Sequence, residues 1–456
     1  IITLNKSNLS SSTVATAGFS SYNSNIPDGV RVFGRSSAGE GDAADDYATT
    51  LAQDIEPEYI TVKGNKAYVT CQENNALAIV DIDKAIVENL ISLGTKDHSI
   101  TGNGLDASNK DDDIFISTWP IKGMYLPDAI ASFQSNDNTY LITANEGDAR
   151  EYLYDDANGE EVLSFIDETR VKDLKLDPLA FPFADLLQQN DQLGRLKTSM
   201  VDGDIDNDGD HDEIYTYGTR SFTIWDAATG SMVWDSKNDL EQITKQRNPD
   251  FFNATNDENN FDDRSDDKGP EPEGVTVGMV NDRMYSFVGL ERVGGIAMYD
   301  ITDPINPTFA HYVNARDYTG DPEKGTAGHL APEGMVFIPA DESPNQTALL
   351  VVTYEVSGSV VIFELGTKES TSLNDIAREI GLQVAPNPTS NTVTFVLNNT
   401  DDAELIMYNS LGTVAYNQQF NSSITVSKDD LNSGGIYFYE VNNHGVTESG
   451  KVIILK

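Results

Sequence analysis

The chain has 456 residues, with 74 acidic side chains against 30 basic ones and a formal charge of −44. That balance excludes nucleic acid as a partner, because no basic stripe could replace a phosphate backbone's counterions. It favours divalent cations, which take carboxylate oxygens, while much of the charge also serves solubility in a salty medium. A single cysteine, Cys71, excludes an internal disulfide, and no apolar run approaches the ~20 residues that span a bilayer.

The chain opens on Ile1-Ile-Thr-Leu4, which reads as the second half of a strand. With neither an initiator Met nor a signal peptide, a processed or truncated chain is expected. From there to residue 365, short strands alternate with Gly, Asn and Asp turns. The best-marked unit has strands at Tyr59-Ile-Thr-Val62, Lys66 to Thr70 and Ala76 to Val80, with Gly64-Asn65 as the first turn. Cys71 follows the second strand as a small core residue. Ser221 to Trp225 and Ser231 to Trp234 form a further strand pair, closed by Asp226-Ala-Ala-Thr-Gly230. Between Glu151 and Met200 the pattern breaks: Asp167 to Leu176 and Phe183 to Leu196 are expected to be helical, in an insertion over one face. Lys237 to Asp267 reads as a second inserted loop, polar and rich in Asn and Asp. Residues 366–381 change composition and read as a linker with one short helical turn. Alternating strands then recur at Thr392 to Leu397, Ala403 to Tyr408, Val414 to Phe420, Gly435 to Val441 and Lys451 to Leu455, which predicts a small antiparallel sandwich.

Acidic residues recur in pairs through the first 365 residues: Glu58 and Glu73, Asp128 and Glu146, Glu273 and Glu291, Glu333 and Glu355. Their spacings of 15, 18, 18 and 22 residues fit one hairpin per pair. The first member of each pair follows a proline, and the grammar is densest in Asp262-Asp-Arg-Ser-Asp-Asp-Lys-Gly-Pro-Glu-Pro-Glu-Gly-Val275. Repetition of a blade-like unit is the signature of a radial all-β architecture, a β-propeller. Equivalent acids would then face one channel mouth. Eight converging carboxylates would repel one another and raise their pKa values. A bound cation relieves this, and so does pairing with Arg150, Arg264, Lys268 or Arg292. Metal flanked by Arg and Lys also suits a phosphorylated or anionic ligand. The alternative is that these acids cap strand ends and close the ring through salt bridges.

The sharpest local motif is Asp202-Gly-Asp204-Ile-Asp206-Asn-Asp208-Gly209-Asp210-His-Asp212. Carboxylates at alternate positions ahead of a glycine wrap a hard cation, so Asp204, Asp206, Asp208 and Asp212 are candidate calcium ligands. Tyr215 stands where an EF-hand needs Glu, so this is another type of loop. The five histidines show no zinc spacing, although His329 precedes Pro332-Glu-Gly334. Gly39-Glu-Gly41-Asp42 lacks the lysine and helix start of a phosphate loop. Trp119, Trp225 and Trp234 read as blade core.

Two resemblances follow from these strings. Residues 1–365 resemble the choice-of-anchor I family, related to atypical bacterial alkaline phosphatases and mesenchyme-specific surface glycoproteins. The likeness runs through Asp54-Ile-Glu-Pro-Glu-Tyr59, Gln72-Glu-Asn-Asn75, Lys122-Gly-Met-Tyr125, Ala144-Asn-Glu-Gly-Asp148, Arg220-Ser-Phe222, Gly289-Leu-Glu-Arg292 and Val356-Ser-Gly358, with the acidic stretches above. It implies a secreted, calcium-dependent propeller of about seven blades, with several blades upstream of Ile1 absent from this sequence. Tyr354 stands where the family tends to have Asn. Residues 382–456 resemble the type A C-terminal sorting domain of the Bacteroidota type IX secretion system, through Pro386-Asn-Pro388, Asn409-Ser-Leu-Gly412, Leu431-Asn-Ser-Gly-Gly-Ile-Tyr437 and Lys451-Val-Ile-Ile-Leu-Lys456. That implies Sec export, an outer-membrane translocon, a shuttle protein and a sortase as partners. An Ig-like sandwich and a cell-surface destination come with it.

The expected function is therefore a secreted, calcium-binding surface protein that binds or adheres. The alternative is a calcium-dependent phosphoesterase, with Glu273, Glu291, Glu146 and Glu58 holding the metal and Arg264, Lys268 and Arg292 holding phosphate. No nucleophile can be placed for it.

Overall fold

The computed structural model describes residues 1–33, 49–155, 158–366, 383–385, 389, 391–397, 402–409, 412–431, 433–443 and 446–454. The linker expected at 366–381, Gly39-Glu-Gly41-Asp42 and Pro386-Asn-Pro388 lie outside these residues, apart from Gly366. The chain divides into two compact units, Ile1–Gly366 and Thr367–Lys456.

The first unit is all-β and propeller-like. Its repeating element is an antiparallel meander, each strand pairing with the next. The first sheet runs Ile60–Lys63, Lys66–Cys71, Ala76–Asp81 and Ile86–Ser92. The third runs Pro272–Val280, Arg283–Leu290, Ile296–Asp300 and Thr308–Val313, and the fourth has three strands, Pro332–Ile338, Ala348–Tyr354 and Ser359–Leu365. The second is interrupted: Ile130–Ser135 and Asn138–Ala144 are joined by Phe222–Asp226 and Met232–Asp235 after a long excursion.

Local sequence explains the hairpins. Asn136-Asp137 and Asn281-Asp282 take φ of +49° and +63° in both cases, the double left-handed turn whose twist matches the strands it joins. Gly64 supplies φ +61° in the first sheet, at the first central position of a two-residue loop. Asp81, Asp226 and Asp300 each end a third strand and accept backbone N–H groups from the turn beyond, Lys84, Ala228 and Thr302 respectively.

The core lies in slabs between successive sheets. Tyr68, Leu77 and Ile79 meet Ile130, Leu141 and Trp225 between the first and second sheets. Phe133 and Ile142 meet Val288, Leu290 and Ala297 between the second and third. Phe287 and Ile296 meet Leu350, Val352 and Tyr354 between the third and fourth. Among the described residues no such slab joins the fourth sheet back to the first, so the ring is not closed by these four. The far side of the first sheet is covered by Val30, Leu51 and Ile55.

Two expectations for the insertions are corrected. Asp167 to Leu176 holds a short strand, Thr169–Arg170, and a 3-10 turn, Val171–Asp173, not a helix. Phe183 to Leu196 contains only the single turn Ala184–Leu187. Val171, Leu174, Leu176, Leu193 and Leu196 do bury an apolar stripe, together with Trp119, but from irregular backbone. Pro178 and Pro182 lie between the two stretches, and at Gly194 a Cβ would stand 2.2 Å from the Gln188 carbonyl, an approach no regular helix makes. Conversely, the polar segment Lys237 to Asp267 contains the nine-residue helix Asp239–Arg247, which buries Leu240 and Ile243.

The second unit has a three-stranded sheet, in the order Gln383–Ala385, Thr392–Val396, Ser423–Ser427. A four-stranded sheet has the order Val414–Asn421, Asp402–Asn409, Gly435–Asn443, Val446–Ile454. Val393, Phe395 and Val426 of one sheet share a core with Leu405, Met407, Val441 and Val452 of the other.

Candidate functional site

The acids are delivered by a repeated strand entry. In the third sheet Pro272 pairs with Leu290 and Val275 with Val288, so Glu273 and Gly274 together oppose one residue. In the fourth, Pro332 pairs with Tyr354 and Met335 with Val352, leaving Glu333 and Gly334 in the same bulge. A bulge of this kind turns a side chain out of the strand's alternation. Glycine is required because the bulges press together: a Cβ on Gly274 would lie 2.1 Å from the Glu333 carbonyl oxygen.

In three of the four sheets the residue before the proline is left-handed: φ is +50° at Glu271, +60° at Ala331 and +40° at Leu126. Their carbonyls accept from Glu291 (2.8 Å), Glu355 (2.9 Å) and Gly147 (3.0 Å). A left-handed non-glycine residue costs of order 1 kcal/mol, so three equivalent cases mark a geometry held by its surroundings. In the first sheet the Glu58 N–H donates to Thr70 O (3.0 Å) much as Asp128 donates to Ala144 O (3.1 Å). Glu58, Asp128, Glu273 and Glu333 thus stand at corresponding points of four sheets.

In three of the four pairs the second acid behaves differently from the first. Glu146 takes the Lys268 ammonium at 2.7 Å, Glu291 the Arg292 guanidinium at 3.0 Å, and Glu73 the buried Arg150 at 3.8 Å. Glu58, Asp128, Glu273 and Glu333 have no ion-pair partner among the described residues. Glu333 accepts from the Tyr59 hydroxyl (3.2 Å), whereas Glu273 Oε2 is sealed from solvent without any hydrogen-bond partner. Burial first, then Glu291, Glu146, Asp128 and Glu333, push Glu273 up to about 10. Burial, Glu146 and Glu333 push Asp128 up to about 8. Glu58 is pushed up to about 8 by burial, Glu73 and Asp128, although its side chain reaches solvent and screening weakens its share.

Glu271 is the residue that acid-pair spacing missed. It is fully buried and accepts from Arg264 (2.8 Å) and Arg292 (3.0 Å), with Lys268 at 3.6 Å. Burial opposes its ionisation, but Lys268, Arg264 and Arg292 bring it down to about 2. Carboxylate oxygens of Glu146, Glu271 and Glu291 lie within 4.8 Å of one another, and these three acids are matched by the same three cations. Beside them a cavity of about 260 Å³ is lined by Lys197, Arg264, Lys268 and Arg292. Every one of those cations is already engaged: Lys197 pairs with Glu168 and Asp267, and Arg264 with Asp267 and Glu271.

Elsewhere, Asp204, Asp206 and Asp208 come within 4.8 Å of one another in a loop exposed on its Asp206–Asp208 side. Asp204 accepts from the Asp208 and Gly209 amides (both 3.0 Å), and Asp212 accepts from Ile205 (2.9 Å). Glu355 sits exposed in the turn after Tyr354 and has no ion-pair partner among the described residues. His329 is held by Ser359 (2.8 Å) and packs on Tyr354. Cys71 is fully buried.

These features define a propeller-like all-β domain that gathers one carboxylate from each of four sheets, joined to a separate small β unit. The chain belongs to the choice-of-anchor I domain family, which it matches over residues 1–304. Residues 383–455 match the secretion system C-terminal sorting domain, which points to secretion and surface display by the type IX route. Among characterised relatives, Gigasin-3a of Magallana gigas is 30% identical over 190 residues, 39% of this chain and 66% of that protein. The mesenchyme-specific cell surface glycoprotein of Strongylocentrotus purpuratus is 29% identical over 295 residues, 59% of this chain. The chain thus spans 66% of the first relative and 37% of the second. Among solved structures, Kuenenia stuttgartiensis hydrazine synthase aligns over 70% of this chain and 68% of its own at 12% identity, with a TM-score of 0.25. The β-propeller domain of Myceliophteria thermophila Cps50 (Swd1) aligns over 68% and 74% at 10% identity, with a TM-score of 0.23. Likeness that faint carries no argument. No helix among the described residues is long and apolar enough to cross a membrane.

Proposed function

We propose that this is a cell-surface binding protein of a Bacteroidota bacterium, whose strand-entry acids Glu58, Asp128, Glu273 and Glu333 hold calcium at the mouth of a propeller. It travels as type IX cargo, engaging translocon, shuttle protein and sortase through residues 382–456. The observation that carries the reading is the uncompensated charge of the inner acids: Glu273 Oε2 is buried without a partner, and no cation pairs with any of the four among the described residues. A hard dication with six to eight oxygen ligands answers both deficits at once. Held there, calcium either braces the sheets or offers open positions to an anionic group on a partner. Calorimetric titration of the chelator-treated chain tests it: one calcium per molecule lost in Glu273→Gln is expected, and unchanged binding in that variant would remove the site.

The second reading, a calcium-dependent phosphoesterase, is favoured only by the cavity lined by Arg264, Lys268 and Arg292 beside Glu291. Its cations are spent on carboxylates, so a phosphate would have to displace Glu271 or Asp267. Turnover of a phosphate mono- or diester that disappears with chelator and in Glu273→Gln would reverse this preference.

A further inference from the structure

We propose that Asp106, Asp111 and Asp262 form a second, buried site for a divalent cation, calcium by its all-oxygen donors, sharing no residue with the strand-entry acids or the Asp204 loop. The site lies where the loop 104–117 meets the segment 252–267, beside Glu241 of the helix Asp239–Arg247, which accepts from the Asp106 amide (3.2 Å) and from Asn253 (3.3 Å). An ion coordinated at 2.3–2.6 Å needs its ligand oxygens within about 5 Å of one another. Carboxylate oxygens of these three aspartates all lie within 4.8 Å of one another.

Burial makes the cluster costly without a counter-ion. Asp106 is 0% exposed and Asp262 3%, while half-buried Asp111 forms the rim through which an ion would enter. Asp262 Oδ1 accepts from the Ser265 hydroxyl, and its Oδ2 is buried with no hydrogen-bond partner. Asn253, whose amide nitrogen donates to Ser265 (2.8 Å) and Glu241 (3.3 Å), also leaves its Oδ1 buried and unpartnered.

No Lys or Arg pairs with any of the three acids among the described residues. Arg220, beside Asp106, is bound to Glu241 and to the carbonyls of Asp106, Ser265 and Asp267, and Lys245 donates to the Ile114 carbonyl. Buried acids left this way must hold protons or a metal. In the absence of metal, burial, Glu241 and Asp111 push Asp106 up to about 7. Burial, Asp106 and Asp111 push Asp262 up to about 8. Asp106 is already aimed, accepting from the Phe115 amide at 2.7 Å.

Trp119 provides the readout, since its indole N–H donates to the carbonyl of Leu105, next to Asp106 (3.0 Å). The full-length chain, stripped with chelator, is titrated with terbium and followed by lanthanide emission under tryptophan excitation, then with calcium by calorimetry. Sensitised emission that calcium displaces is expected. Affinity should fall at least tenfold in Asp111→Asn, a rim substitution the fold tolerates, and in Asp262→Asn. It should survive in Glu273→Gln and in Asp206→Asn, which separates this site from the other two. Trp119→Phe should abolish the emission while calorimetry still counts the calcium. Unchanged terbium affinity in Asp111→Asn, or full emission from Trp119→Phe, would overturn the assignment.

Discussion

Raising the pH should destabilise the metal-free protein, and calcium should abolish that sensitivity. Asp128 and Glu273 have folded-state values of about 8 and about 10, above the ordinary carboxyl range they regain on unfolding. Between about pH 5 and 8 the native state therefore binds more protons than the unfolded state, and stability falls as pH rises. Each extra proton is worth about 1.4 kcal/mol per pH unit, so over pH 5.5 to 7.5 these two set a ceiling of roughly 5 kcal/mol on their own share, with Glu58, Asp106 and Asp262 adding in the same direction. Water at the mouth screens part of this, and about half the ceiling is the expected loss. Urea denaturation followed by tryptophan emission measures it cleanly, because Trp119, Trp225 and Trp234 all lie in the first unit. With chelator the midpoint should decline steadily with pH. With saturating calcium the acids are ionised in the native state, the slope should vanish, and at a hundred times Kd the gain is about 2.7 kcal/mol. Glu273→Gln should raise the midpoint at pH 7.5 in chelator while weakening the calcium response. A flat or rising midpoint in chelator, or the same slope in calcium, would refute the reasoning.

Arg220→Met should cost about 3–5 kcal/mol, because it strands the buried Glu241 carboxylate; the thermal midpoint reports it. Gly274→Ala should cost about 1–3 kcal/mol and weaken calcium binding, since its Cβ would press on the Glu333 carbonyl. Gly64→Ala, with open space around it but φ of +61°, should cost about 1 kcal/mol and leave calcium binding intact. Removal of residues 383–456 should leave the protein in the periplasm on cell fractionation, if the sorting-domain match governs export.

The repeat was legible because its signals are local. Gly64-Asn65 fixes a hairpin, and Pro-acid followed by a partner strand recurs at hairpin spacing, so the sheets and most strand-entry acids could be placed from order alone. Asp167 to Leu176 and Phe183 to Leu196 read as helical on local sequence, whereas the backbone crowding at Gly194 that rules out a regular helix arises only in the folded chain. The helix Asp239–Arg247 was hidden for the opposite reason: its anchor is Glu241 on Arg220, a polar contact across 21 residues. Glu271 escaped because its role comes from a left-handed backbone that aligns it with Leu126 and Ala331, neither of them acidic. Asp106 and Asp262 are brought together only by the packing of two loops.

The strand-entry bulge owes its shape to the proline before the acid and the glycine after it, not to the carboxylate between them. The third and fourth sheets can therefore exchange that side chain without disturbing the apolar slabs on either side. Charge at the centre is then a digital quantity, set one unit per repeat, while the scaffold stays the same. Ala331 and Leu126, standing where the third sheet has Glu271, show that such exchange has already run its course one position away.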